Sequence, residues 1–177
     1  MNNKRWAGLA SGMLMLSMVG VTEASVISYS ATLDGLQGTV PIATTGMGSM
    51  VGTYDDVSGG LTWTLSWSDL LAPATAAHIH VAPLGFNGPV AVTIPSVAGS
   101  MSGMVSSSTT ITMLQAADLL AGNWYVNIHS SQFPGGEIRG QLSINSVPEP
   151  ATVLLLSMGV AGLLGSRMRN KGVAHPV

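Results

Sequence analysis

The chain has 177 residues, 8% of them charged, no cysteine and a formal net charge of −2. That excludes a disulfide framework and gives no electrostatic footprint for nucleic acid. Ser, Thr and Gly supply the polarity that charged residues, about a quarter of an ordinary globular chain, would supply.

The N-terminus carries Lys4 and Arg5, then an uncharged run from Trp6 to Val21, then small residues at Thr22 and Ala24. A basic start, an apolar middle and a small-residue cut site describe a secretory signal peptide over residues 1–24. Signal peptidase is therefore an expected partner. Between Ser25 and Val147 stand six acidic residues (Asp34, Asp55, Asp56, Asp69, Asp118, Glu137) against Arg139 alone, a net charge of −5. Such a domain repels DNA, RNA and anionic lipid. It is long enough to bury one real core.

Its patterning is of strand type. "GLTWTLSW" sets Leu61, Trp63, Leu65 and Trp67 on one face and Thr62, Thr64 and Ser66 on the other, a period of two. Further strands are expected at "SVISYSATL", "GSMVGTY", "TAAHIHVA", "PVAVTI", "GSMSGMVS", "NWYVNIHS" and "GEIRGQLSI". Turn signals stand between them at "DDVSGG", "PLGFNGP" and "FPGGE". One helix is expected in "TMLQAADLLAG", capped by Thr112, ended by Gly122 and presenting Met113, Ala116, Ala117 and Leu120. The expected fold is an all-β, antiparallel Greek-key sandwich with one short helix.

Of four histidines, three lie in these strands. Alternation sends Ala77, Ile79 and Val81 inward and His78 and His80 outward. Trp124, Val126 and Ile128 likewise face in, while Tyr125, Asn127 and His129 share the other face. Ile138 and Leu142 point to the core, opposed by Glu137, Arg139 and Gln141. If these strands are neighbours, His78, His80, Asn127, His129, Glu137 and Arg139 form one polar patch. His78, His80 and His129 then offer three nitrogen ligands for zinc or copper, with water or Glu137 fourth. The simpler reading is an exposed polar face whose histidines hydrogen-bond to hydroxyls and amides. For Glu137 and Arg139 the simplest expectation is an ordinary same-face ion pair or a cross-strand bond.

The C-terminal stretch "VPEPATVLLLSMGVAGLLGSRMRNK" contains Pro148, Glu149 and Pro150, an apolar segment over about 151–166, and Arg167, Arg169 and Lys171. The segment is near the lower limit for a single transmembrane helix, and the basic residues after it mark the cytoplasmic side. These three parts, in this order, resemble the PEP-CTERM sorting signal of Gram-negative bacteria, placed here at 147–171 with a tail at 172–177 that includes His175. The resemblance implies an exosortase partner and an inner-membrane-anchored precursor. Display at the cell surface or release outside it would follow, in association with exopolysaccharide, biofilm or envelope proteins.

The ordered set "AHIH", "GFNGPV", "YVNIH" and "GEIRGQL" resembles the CHRD domain, here spanning 25–146. Two departures are the missing glutamate in "QGTVP" and Ser130 after the last histidine. The resemblance implies an immunoglobulin-like or superoxide-dismutase-like sandwich and no specific activity. A dismutase needs more histidines, an aspartate and a disulfide than this domain offers. Hydrolysis needs a nucleophile, base and orienting group, and Ser130 beside His129 points to the opposite face. The expectation is thus an exported surface or matrix protein that is not an enzyme, with zinc or copper binding as the alternative.

Overall fold

Nine strands and one helix follow in chain order: β1 (Val26–Leu33), β2 (Met47–Asp55), β3 (Gly60–Ser68), β4 (Ala74–Val81), β5 (Val90–Ile94), β6 (Gly103–Thr110), α1 (Met113–Leu120), β7 (Trp124–Ser130), β8 (Ile138–Gln141) and β9 (Ser143–Ser146). The computed structural model describes residues 25–146 together with Gly159 and Val160. The signal peptide, the Pro-Glu-Pro motif and the basic end lie outside the described residues, as does the apolar segment apart from that helical pair. Among the described residues no helix is long and apolar enough to cross a membrane.

The strands form a five-stranded sheet, β6-β3-β2-β1-β9, and a four-stranded sheet, β5-β4-β7-β8. Every pairing is antiparallel. The chain changes sheet after β3, β5, β6 and β8, the crossovers of a Greek-key sandwich. The all-β expectation holds. Asp34 and Arg139 exchange backbone bonds of 3.1 and 2.9 Å, tying the end of β1 to β8 and closing one flank. On the other flank β5 and β6 border a cleft of about 350 Å³ lined by Trp63, Ala91, Val92, Ser107 and Ile111.

The alternation read in β3 is what builds the core. Leu61, Trp63, Leu65 and Trp67 are buried against Ile79, Trp124, Val126 and Ile128 of the facing sheet. Side chains of this size contribute about 1.5–3 kcal/mol each when fully buried. Tyr29 is buried with them, and its hydroxyl donates to the Thr62 carbonyl at 2.7 Å. Burial pushes that phenol well above its ordinary range.

Three local expectations need correction. In α1 the capping box is present, with Thr112 Oγ1 accepting from Gln115 N–H and Gln115 Oε1 accepting from Thr112 N–H. The buried face, however, is Ala116 and Leu119, while Met113, Ala117 and Leu120 are exposed. Ile111, just before the cap, is buried with that face, and its N–H donates to the Gly59 carbonyl. The expected strand "GEIRGQLSI" is two strands in different sheets. Leu142 is buried at the corner, its N–H donates to the Trp124 carbonyl, and the chain turns there from one sheet to the other. Finally, β6 begins at Gly103, because Gly99 to Ser102 form a turn with Gly99 at φ +95°.

Candidate metal centre

The outer face of the four-stranded sheet carries the histidines. β4, β7 and β8 are adjacent, and register sets His78, Asn127 and Arg139 in one row and His80, Tyr125 and Gln141 in the next. His129 stands one row further, opposite Ala76. The three imidazoles therefore meet at one point of the sheet. Each offers a ligand nitrogen within 4.8 Å of the others. His78 Nδ1 lies 3.1 Å from His129 Nε2. Two nitrogens held at 2.0–2.1 Å from a tetrahedral zinc stand about 3.3 Å apart, so that pair is already at ligand spacing.

Two backbone carbonyls assign the tautomers. His129 Nδ1 donates to the Pro134 carbonyl at 2.8 Å, and His80 Nδ1 donates to the Gly88 carbonyl at 3.0 Å. In each ring the proton is thus on Nδ1 and the lone pair on Nε2. With no metal bound, the His78 Nδ1 proton donates to His129 Nε2. The His80 Nε2 lone pair is buried and has no partner. A buried, oriented acceptor with nothing to accept from is what an imidazole ligand presents to a cation.

Burial and neighbouring groups favour the neutral form of His78 and His80. Burial lowers the pKa of His78, and the neighbouring imidazoles of His129 and His80 lower it further. For His80 burial is again the main cause; the Gly88 carbonyl opposes it, and His129 and Arg139 reinforce it. Neutral imidazole is the form that coordinates metal.

The remaining patch residues support the histidines and add no ligand. Tyr125 stacks on His80 with ring centroids 4.9 Å apart and planes within 5°. The Arg139 guanidinium covers the same tyrosine, with Cζ 3.4 Å from the ring centroid. Arg139 also donates to Asn87 Oδ1 at 3.0 Å and to the Phe86 carbonyl at 2.8 Å. Gly88 N–H donates to the Tyr125 hydroxyl at 3.2 Å. Residues 82–89, between β4 and β5, are thereby folded back over the sheet, and this brings the Gly88 carbonyl to His80. Asn127 Nδ2 donates to the Gly135 carbonyl at 3.1 Å. Gly136, at φ +119°, leaves no room for a Cβ against the Asn127 amide. Asn127 thus shapes the turn that presents the Pro134 carbonyl to His129.

Glu137 departs from expectation. It is buried, and its Oε1 accepts from Thr44 Oγ1 at 2.6 Å and Leu71 N–H at 2.7 Å. It pins the loops after β1 and β3, and it stands outside the histidine cluster. The expected ion pair with Arg139 is absent, since each side chain is committed to a different loop. The expected exposed face is absent too: Tyr125, Asn127, Glu137 and Arg139 are all buried, and the histidines are half-buried. Loops cover this sheet on the side that alternation assigns to solvent. Reading residue types missed Gly88 and Pro134, because they act through their carbonyls. It also missed Asn87, and it left Tyr125 out of the patch although alternation assigns it to that face. The "GFNGPV" run was visible as a turn, but its carbonyl's target was not.

A family model for the CHRD domain matches residues 29–142, well over half the chain. The chain belongs to the CHRD domain family. A model for the PEP-CTERM protein-sorting motif matches residues 146–170. No curated protein and no solved structure matches. The CHRD match runs from Tyr29 in β1 to the Leu142 corner and includes all three histidines with both carbonyls that orient them. With its sorting motif, the CHRD protein is exported as a membrane-anchored precursor and sorted by exosortase.

Proposed function

We propose that the exported CHRD domain is a binding domain, not an enzyme, whose functional centre holds one zinc or copper ion on His78, His80 and His129. The observation that carries this reading is the buried, unpartnered His80 Nε2, in a ring whose Nδ1 is held by the Gly88 carbonyl and which clusters with two other imidazoles. Three imidazole nitrogens suit zinc or copper, and an open fourth position would take water. Against a hydrolytic role stands Ser130, which is fully buried and accepts from the Phe133 N–H.

The test is elemental mass spectrometry of the exported, processed chain after incubation with each ion. It is run beside a His78→Ala/His80→Ala/His129→Ala variant. About one equivalent of zinc or copper, lost in the variant, is expected. No bound ion in the wild type refutes the site and leaves the histidines as a hydrogen-bonded polar face.

A second reading, display in an exopolysaccharide matrix or envelope at the cell surface, is favoured by the outer face of the five-stranded sheet. There Ser28, Thr53, Thr62 and Ser108 form one uncharged row across four strands, and Ser30, Val51, Thr64 and Ser106 form the next. Such a face is compatible with a neutral, hydroxyl-rich polymer. Deletion of the protein is expected to reduce matrix retention or aggregation; an unchanged surface phenotype argues against this reading.

A further inference from the structure

The four outermost strands of the sandwich are not equally protected. β8 is continued by the backbone bonds between Arg139 and Asp34. β9 has four residues and its pairing with β1 is irregular, while β5 has five and is bulged against β4. β6 differs from all three. It pairs with β3 over eight residues without a register shift, and "GMVSSSTT" contains no charge and no proline. Short length, bulges, charges and proline are the devices that keep sheet edges from pairing, and β6 has none of them.

The ladder fixes which groups this edge offers. Ile111 N–H donates to the Gly59 carbonyl, in the same register that pairs Gly60 with Thr110. Hydrogen-bonded pairs recur every second residue in an antiparallel ladder. Val105, Ser107 and Thr109 therefore bond to β3, and Met104, Ser106, Ser108 and Thr110 direct their N–H and C=O groups away from it. Among the described residues no backbone group bonds those four outward N–H groups.

We propose that this edge is an interface with a second copy of the chain, β6 pairing antiparallel with its two-fold mate into a ten-stranded sheet. A two-fold set between the Ser107 residues of the two copies places Ser106 opposite Ser108 and Met104 opposite Thr110. Each outward N–H then meets an outward carbonyl, eight main-chain bonds in all. The pairing also continues the hydroxyl row that ends in Ser108 directly into the row that ends in the partner's Ser106. On the inner side it sets Val105, half-buried in the single copy, beside Thr109 of its mate at the mouth of the β5–β6 cleft. Although the domain is acidic, no acidic residue lies on this edge, so the two copies meet without charge repulsion. The inference is independent of the metal.

The experiment measures the mass of the exported, processed chain by light scattering across a dilution series, with Ser106→Pro and Ser106→Ala. Proline at 106 removes an outward N–H and leaves the β3 ladder intact, because that N–H plays no part in it. Two bonds per dimer are lost, one in each copy, so the dissociation constant is expected to rise about 30-fold. Ser106→Ala is expected to dimerise as the wild type does. Amide exchange on the wild type supplies a reading that needs no variant: the Ser106 and Ser108 amides are expected to be as protected as those of Val105 and Ser107. A wild type that is monomeric throughout overturns the proposal. So does a dimer indifferent to proline at 106, or one whose Ser106 and Ser108 amides exchange as fast as loop amides.

Discussion

Gly88→Ala tests whether backbone carbonyls build the histidine site. A Cβ on Gly88 would fall far inside van der Waals contact with the Val81 carbonyl oxygen and press on the Ala82 side chain. Rotation cannot relieve a clash with backbone, so the segment before β5 must lift from the sheet. Two hydrogen bonds go with it: Gly88 N–H to the Tyr125 hydroxyl and His80 Nδ1–H to the Gly88 carbonyl. At about 1 kcal/mol each they put the loss near 2 kcal/mol, before any cost to the Arg139 contacts with Phe86 and Asn87. The His80 ring then loses its tautomer lock. Loss of such an outer partner typically weakens metal affinity about 10- to 100-fold.

Urea unfolding without metal and calorimetric titration with zinc read the two effects separately. The expected result is a lower midpoint in the first and a weaker binding constant, with stoichiometry unchanged, in the second. A variant as stable as the wild type would show that the loop relaxes without lifting. A variant that is destabilised but binds zinc equally would show that the Gly88 carbonyl does not organise the site.

Arg139→Lys loses the paired donation to Asn87 and Phe86 and the planar cover on Tyr125. About 2–3 kcal/mol of stability is expected to go with them, read as a shift of the urea midpoint, and an unchanged midpoint refutes the role. Melting temperature is expected to fall as pH drops from about 7 to about 5. Burial holds His78 and His80 below their ordinary range, so the unfolded chain binds protons first; stability present above about 6.5 is lost as pH falls through the folded-state values. The slope should be shallower in a His78→Gln/His80→Gln variant, and equal slopes would remove these rings as its cause. Thr112→Ala removes the N-cap oxygen and should cost about 1 kcal/mol in thermal melts without altering zinc affinity.

How far the sequence reached depended on whether a feature was local. β3 was legible because eight consecutive residues alternate and nothing interrupts them. The three-histidine cluster was legible only conditionally, since alternation assigns His78, His80 and His129 to a face and strand order decides whether they meet. The outcome for Glu137 and Arg139 was not legible. Alternation assigns them to an outer face, and outer was read as exposed, but the loops after β1 and β3 meet Glu137, the loop after β4 meets Arg139, and both are buried. Nothing in the local pattern says where a loop lies. The split at Leu142 was hidden for a related reason, because one apolar residue at the right period fits a continuing strand as well as a corner.

Burial of the patch also changes what its residues are for. An exposed ion pair between Glu137 and Arg139 would add a few tenths of a kcal/mol and organise nothing. Buried and separated, each instead anchors a loop: Arg139 the segment bearing Gly88, Glu137 those bearing Thr44 and Leu71. Asn127 does the same for the turn bearing Pro134. Two of these four anchored segments supply the carbonyls that direct His80 and His129. Conservative changes at Arg139 or Asn127 should therefore weaken metal binding in proportion to the loop they release while leaving one ion per chain. Changes at His78, His80 or His129 should alter the stoichiometry itself. That difference separates a ligand from the residue that positions it, and it is measurable in a single titration.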